Sequence, residues 1–260
     1  MTGSQASGYT PSEHLVMIVG NYGSGKTEVA VNLALQLADA GNTIQIADLD
    51  IVNPYFRSRE ARTIMEQHGI RVVIPPGEQV YADLPIVLPE IKGMLEPTGG
   101  TYSLFDVGGD DAGARMLSSM REPLGDAPYA LLQVINSRRP FTDTVDGCLK
   151  MQTSIEEASR LKVSGYIVNS HLIDQTTAEV VLEGYELANR VSVRTGVPVE
   201  FVSVMEDLAQ LPEIKEIDVP VLHLERIMLP PWLLSGEKND SASLESNDLP
   251  AARTKPIGKP

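Results

Sequence analysis

One cysteine, Cys148, and one tryptophan stand in a chain of 260 residues. A single thiol excludes an internal disulfide, and it excludes an iron–sulfur or zinc site built from several cysteines of one chain. Cys148 itself reads as a small buried helix residue. Positive charge is also scarce: Lys and Arg number 21 against 35 Asp and Glu, for a formal net charge of -14. Such a surface repels DNA, RNA and anionic lipid unless a local basic patch intervenes, so neither nucleic acid nor a membrane is expected as a partner. No apolar run approaches the roughly 20 residues needed to span a bilayer. The N-terminal stretch MTGSQASGYTPSEH lacks a basic segment followed by an apolar one, which reads as no secretory signal and a cytoplasmic location. No internal repeat is visible.

What the chain does have is 42% apolar residues, enough for a sizeable core. Apolar runs of strand length recur at 15–19, 43–47, 70–74, 102–105, 129–135, 163–168, 199–204 and 219–224. Most are continuously apolar, as in strands covered by helices on both faces. Helical patterns separate several of them. In 28–40, Glu28, Asn32, Gln36 and Asp39 form a narrow polar stripe on an otherwise apolar helix, which predicts a largely buried helix. In 174–195 an apolar face is followed by Gly196 and Pro198, a helix stop. The alternation predicts an α/β fold: a doubly wound, mostly parallel sheet flanked by helices in three layers, with ligands at the carboxyl ends of the strands.

Three stretches stand apart from this alternation. Residues 1–13 are small and polar and read as flexible. Residues 75–101 hold five prolines and a short helical pattern near 86–95, and read as an insertion in the 14–234 domain, either a partner or substrate surface or a long connection. From Ser235 to Pro260 the composition is that of a disordered tail, whose four basic and four acidic residues cancel, so the acidity belongs to the folded body.

The chemistry is concentrated at GNYGSGKT, residues 20–27. Gly20, Asn21, Tyr22, Gly23, Ser24, Gly25, Lys26 and Thr27 match G-x-x-x-x-G-K-[ST] between an apolar strand and a helix whose first turn carries Glu28, the context that identifies a phosphate-binding loop. Glycines let successive N–H groups turn inward on phosphate oxygens, and the helix start adds its dipole. In such a loop the Lys26 ammonium reaches the β- and γ-phosphates and the Thr27 hydroxyl ligates Mg²⁺. A metal-bound triphosphate also needs an acidic residue at a neighbouring strand end. YSLFDVGG supplies Asp106, followed by Gly108 and Gly109, whose backbone can approach a γ-phosphate. Asp48 and Asp50, at the end of the strand TIQIA, form a second acidic pair, one for the attacking water and the other for the metal shell.

These pieces, together with EVAVNLALQLADAG, DLDIVNPYF and FDVGGDDAG, resemble the MinD/ParA/CobQ-type family of P-loop ATPases. The likeness extends weakly to YIVNS and VEFVSVMEDL and spans most of 14–225. It implies Mg-ATP binding, slow hydrolysis, and a nucleotide switch read by a partner protein. On that likeness Asp50 matches the first switch region, Asp106 the Walker B position and Gly109 the second switch, with Asn169 a contact for adenine. Many members carry an extra lysine early in the loop and use it across a dimer; here that position is Asn21, so a homodimer of that kind is left open. Arg115, Arg138 and Arg139 are the cations that could act on a phosphate or another anion in its place. No N-K-x-D stretch for guanine is present, and NSHL at the analogous place favours adenine. A CxxC is absent, and Pro230–Pro231 break the run IMLPPWLL, which argues against a basic amphipathic membrane helix. His171 and His223 have no second ligand at metal spacing and read as hydrogen-bonded strand-end residues.

The expectation is an ATP- and Mg²⁺-dependent hydrolase acting as a switch or maturation factor for a protein client. Its catalytic set is Lys26, Asp50 and Asp106, and its metal set Thr27, Asp50 and Asp106. An ATP-dependent small-molecule kinase or ligase using the same loop is the alternative, and a DNA-segregation ATPase is disfavoured by the charge.

Overall fold

The computed structural model describes residues 8–50, 59–74, 89–109 and 111–227. The tail expected at 235–260, the run IMLPPWLL beyond Ile227, most of DLDIVNPYF and the first part of 75–101 lie outside them. Eight strands form one parallel sheet: β1 (Leu15–Gly20), β2 (Ile44–Leu49), β3 (Arg71–Val73), β4 (Tyr102–Val107), β5 (Ala130–Ile135), β6 (Gly165–Val168), β7 (Val199–Met205) and β8 (Val221–Leu224). Their order is β3-β2-β4-β1-β5-β6-β7-β8, every neighbouring pair parallel. All eight expected runs become strands, and the three-layer α/β fold is the observed one.

Why the runs are apolar without interruption follows from the two cores. In β1, Val16 and Ile18 join one hydrophobic cluster, while Leu15, Met17 and Val19 join the other. Each strand still alternates sides, but where both sides are covered apolar residues dominate both. One core includes α1 (Lys26–Asp39) and Met65 of α2 (Arg59–Gln67). The opposite core includes buried side chains of α3 (Pro89–Leu95), α4 (Asp111–Leu124), α5 (Val145–Ser159) and α6 (Ala178–Thr195). Two short helices, α7 (Glu206–Ala209) and α8 (Pro212–Lys215), link β7 to β8. Cys148 lies fully buried in α5, with its thiol pushed up to about 12 by burial and by Asp143, so it is held as the neutral thiol.

The polar stripe of α1 is satisfied by the two ends of the described chain. Asn32 Nδ2 donates to the Glu225 carbonyl at 3.1 Å, and Asn32 Oδ1 accepts from the Glu225 N–H at 2.8 Å. The Ile227 N–H donates to Glu28 Oε1 at 2.7 Å, and Gln36 Nε2 donates to the Tyr9 carbonyl at 2.6 Å. Part of the N-terminal stretch read as flexible is therefore packed. Tyr9 is buried, its ring centroid lies 4.5 Å from that of Phe201, and its hydroxyl donates to Glu200 at 3.1 Å. In the region read as an insertion, Pro89–Leu95 supplies the helix between β3 and β4 and buries Ile91, Met94 and Leu95.

The order of strands decides where a ligand can sit. The chain leaves β1 towards β2 with β4 between them, and it later returns to add β5 on the other side of β1. The strand order reverses at β1, and the crevice at its carboxyl end is the natural ligand position in an open parallel sheet. Asp106 in β4 stands in register with Ile18 of β1 and with Asp48 of β2, which brings it to the rim of that crevice.

Asn32→Ala removes both partners of the Glu225 backbone from a buried position. We expect it to lower the unfolding free energy by about 1–3 kcal/mol, read as a lower urea midpoint at unchanged slope.

Candidate functional site

The loop between β1 and α1 curls because its glycines adopt backbone angles other residues avoid. Gly23 and Gly25 have φ of 71° and 86°. The start of α1 differs from those of the long helices α5 and α6. Thr144 caps α5 and Thr177 caps α6 through their side chains, whereas α1 begins at Gly25 with no side-chain cap. Its first N–H groups are therefore left to whatever sits in the loop, and an anion at a helix N-terminus meets both those donors and the dipole.

Lys26 is almost fully buried and donates to the Asn21 carbonyl at 3.1 Å, so its ammonium lies across the mouth of the loop. Thr27 Oγ1 donates to Asp106 Oδ2 at 2.5 Å. The other Asp106 oxygen, Oδ1, is buried with no hydrogen-bond partner. Burial raises the Asp106 carboxyl from 3.8 to about 6, the Thr27 bond and the Lys26 charge pull it down, and Asp50 pushes it up. A buried carboxylate oxygen left without a donor, next to a threonine hydroxyl and a phosphate loop, is the donor set of a hard cation such as Mg²⁺. The residues thus fit the metal: Thr27 and Asp106 would hold it, directly or through water. The period-two geometry expected of Asp48 and Asp50 ends at the strand. Asp48 is buried within β2, and its Oδ1 accepts the Asp50 N–H at 2.9 Å in a turn that carries Asp50 past the strand end.

Gly109 follows β4 directly against the loop. A β-carbon there would stand 2.5 Å from the Gly20 carbonyl oxygen and 2.8 Å from the Tyr22 nitrogen, so only glycine admits this approach. From the other side, Asn169 after β6 donates through Nδ2 to the Ser24 carbonyl at 2.8 Å, and its Oδ1 accepts from Ser203 Oγ at 2.9 Å. Asn169 is therefore fixed to the phosphate loop by one end of its amide and to β7 by the other.

Of the three arginines, one reaches the loop. Arg139 Nε donates to the Gly23 carbonyl at 2.9 Å. Arg138 turns to Glu183 of α6, and Arg115 is exposed on α4. Asn21 sends Nδ2 to the Pro140 carbonyl at 2.9 Å, while its Oδ1 accepts the Tyr22 N–H at 2.8 Å. His171 is held neutral, lowered to about 4 by burial and then by Arg139 and Arg226. His223 pairs with Glu206 at 2.7 Å. Among the described residues no group of three or more His, Cys, Asp or Glu forms a metal cluster.

Sequence reading passed over Asn136, Ser137 and Ser203. Asn136 is fully buried at the end of β5, and its Oδ1 accepts the Arg138 N–H at 2.9 Å. The Ser137 N–H donates to Ser170 Oγ at 3.0 Å. A signal was present: two neighbouring strands end alike, in VINS and IVNS, and both place their Asn at the rim of the site.

A parallel sheet with a glycine-rich loop at its switch point, a lysine across that loop and a Thr–Asp pair at its foot define a P-loop nucleotide-binding protein. The chain belongs to the CobQ/CobB/MinD/ParA nucleotide binding domain family, whose model matches residues 16–220. No curated protein sequence matches it. Among solved structures, the cell division protein FtsY of Thermotoga maritima is 21% identical, with 82% of this chain and 70% of that one covered at a TM-score of 0.53. The signal recognition particle receptor FtsY of Elizabethkingia anophelis in complex with GDP is 19% identical, with 82% and 64% covered at a TM-score of 0.53. Chloroplast FtsY of Physcomitrella patens is 18% identical, with 77% and 61% covered at a TM-score of 0.50. The chain thus spans less than two thirds of the length of the last two. At these identities the likeness is one of fold. No helix among the described residues is long and apolar enough to cross a membrane.

The raised Asp106 carboxyl gives a pH dependence with a definite sign. Metal binding requires the carboxylate, so affinity for a Mg²⁺-nucleoside triphosphate should hold above about pH 6 and fall by up to about tenfold per pH unit below it. Without metal the sign is opposite for stability: the contribution of this group is present below pH 3.8 and is lost as the pH rises through about 6. Calorimetric titration across pH 5–8 checks the first, and Asp106→Asn should remove the pH-dependent component.

Proposed function

We propose that this chain is a Mg²⁺-dependent ATPase whose hydrolysis cycle switches it between two states read by a protein partner. The observation that carries the reading is the Thr27–Asp106 hydrogen bond at the foot of the phosphate loop, with the second Asp106 oxygen buried and without a donor. The loop amides of Gly23, Gly25, Lys26 and Thr27 and the Lys26 ammonium bind the β- and γ-phosphates. Thr27 and Asp106 hold Mg²⁺, which when bound neutralises charge on the phosphate oxygens. Asp50 orients a water for in-line attack on the γ-phosphorus. The bond to the β–γ bridging oxygen breaks, and ADP and phosphate leave. Gly109, whose backbone touches the loop, reports whether a γ-phosphate is present, and motion of the segment after it is the switch.

Adenine is preferred over guanine on a chemical ground. A guanine-reading site uses a carboxylate to accept from N1 and the exocyclic amine, and the stretch Asn169, Ser170, His171, Leu172 supplies none. Asn169 contacts the base while keeping its bond to the loop. The GDP in the FtsY of Elizabethkingia anophelis makes the base a point for direct test. A protein partner fits the two large apolar side chains beside the loop, Tyr22 and Phe141, each 70% exposed. A homodimer that shares nucleotide across this face would make turnover per chain depend on protein concentration.

Lys26→Ala should abolish Mg-ATP binding, or lower turnover by at least about a hundredfold, with the fold intact by circular dichroism. Competition between ATP and GTP for a fluorescent nucleotide checks the base. Equal release of ADP and inorganic phosphate separates hydrolysis from transfer to a small-molecule acceptor, and wild-type ATP binding by the Lys26→Ala protein would refute the assignment.

A further inference from the structure

The phosphate loop holds a single cation of its own, Lys26. A second one is brought to it by the connection from β5 to α5. That connection is tightly held. The Arg139 N–H and the Thr142 hydroxyl both donate to the Asn136 carbonyl, at 3.1 and 2.8 Å, and the Thr142 N–H donates to the Arg139 carbonyl at 3.3 Å. Thr142 is fully buried, and the residue before it, Phe141, is held at a φ of 71°, a conformation that costs a non-glycine residue energy and persists where the surroundings fix it. This turn is joined to the phosphate loop at two points: Asn21 Nδ2 on the Pro140 carbonyl and Arg139 Nε on the Gly23 carbonyl, both at 2.9 Å.

The Gly23 bond fixes where the guanidinium lies. With Nε on that carbonyl and Cζ 3.6 Å from where a Gly23 β-carbon would be, the guanidinium lies on the loop's rim, and its two terminal nitrogens extend the donor set of Nε. Arg138, next in sequence, is turned the other way onto Glu183. His171, the neighbouring group that could share the charge, is kept neutral.

We propose that Arg139 contacts the bound triphosphate in cis, at the β–γ bridging oxygen, and that Asn21 positions it by tying its turn to the loop through Pro140. The inference rests on the proposed nucleotide site. During hydrolysis the water oxygen bonds to the γ-phosphorus, the electron pair of the broken bond moves to the bridging oxygen of the departing diphosphate, and the water proton ends on the phosphate product. Arg139 stays protonated throughout and stabilises the charge gathering on the bridging oxygen.

The test uses the full chain, a non-hydrolysable triphosphate analogue, ADP and Mg-ATP. Wild-type protein is titrated first with the analogue; if it does not bind, the nucleotide reading itself has failed, a result separate from those below. Given binding, Arg139→Gln should lower the ratio of analogue affinity to ADP affinity by at least about tenfold and kcat by about a hundredfold, while ADP affinity changes less than about threefold. Arg139→Lys should recover part of both. Asn21→Ala should show a smaller loss of the same kind and add little on top of Arg139→Gln, since the two residues act as one unit. Turnover per chain should be independent of protein concentration, and mixing Arg139→Gln with Lys26→Ala protein should restore nothing. A wild-type affinity ratio in Arg139→Gln, or equal loss of analogue and ADP affinity with no change in kcat, would overturn the proposal. So would activity regained on mixing, which would mean that the charge comes from a second copy.

Discussion

A threonine hydroxyl on the first turn of a helix donates to a carboxylate at the end of the neighbouring strand, and the site is organised around that bond. Thr27 and Asp106 belong to different elements, α1 and β4, with β1 and its loop between them. The bond fixes the helix start relative to the sheet and leaves one carboxylate oxygen without a donor. A carboxylate in this environment is costly: the rise from 3.8 to about 6 corresponds to about 3 kcal/mol. Under the proposed function, a hard cation brought in with a nucleotide would relieve that cost through Thr27 and Asp106.

Around this bond the phosphate loop is held from three directions. Gly109 from β4 touches its backbone, Asn169 from β6 accepts from Ser203 and donates to Ser24, and the turn after β5 contributes Arg139 and the Pro140 carbonyl. Main-chain carbonyls of Asn21, Gly23 and Ser24 each accept from a side chain, so the loop keeps its curl. This is preorganisation, in which the backbone conformation needed to bind an anion is prepared before the anion arrives. A shift in any of the three flanking segments would change a bond to the loop.

The fold was legible because most strands are buried on both faces, which keeps polar residues few within them and leaves eight conspicuous apolar runs. The phosphate loop was legible because its chemistry demands glycines, a lysine and a hydroxyl at fixed spacing within one segment. The polar stripe on α1 was visible, but its partners were not: Asn32 meets Glu225, 193 residues away, and nothing local announces that pairing. Tyr9 looked like part of a loose end for the same reason, since the surface it covers, at Phe201 in β7, is remote in sequence.

The amino-acid sequence by itself determined the strands, the phosphate-binding loop and the presence of an acidic residue at a strand end, since each depends on residue types within a few positions of one another. Which arginine serves the loop was decided by tertiary structure alone. Arg138 and Arg139 are adjacent and chemically identical, and one of them meets Glu183 while the other meets Gly23 because the backbone turns between them. Opposite directions from neighbouring residues follow from a turn pinned by Asn136 and Thr142, and such a pin acts through space, where local pattern carries no information.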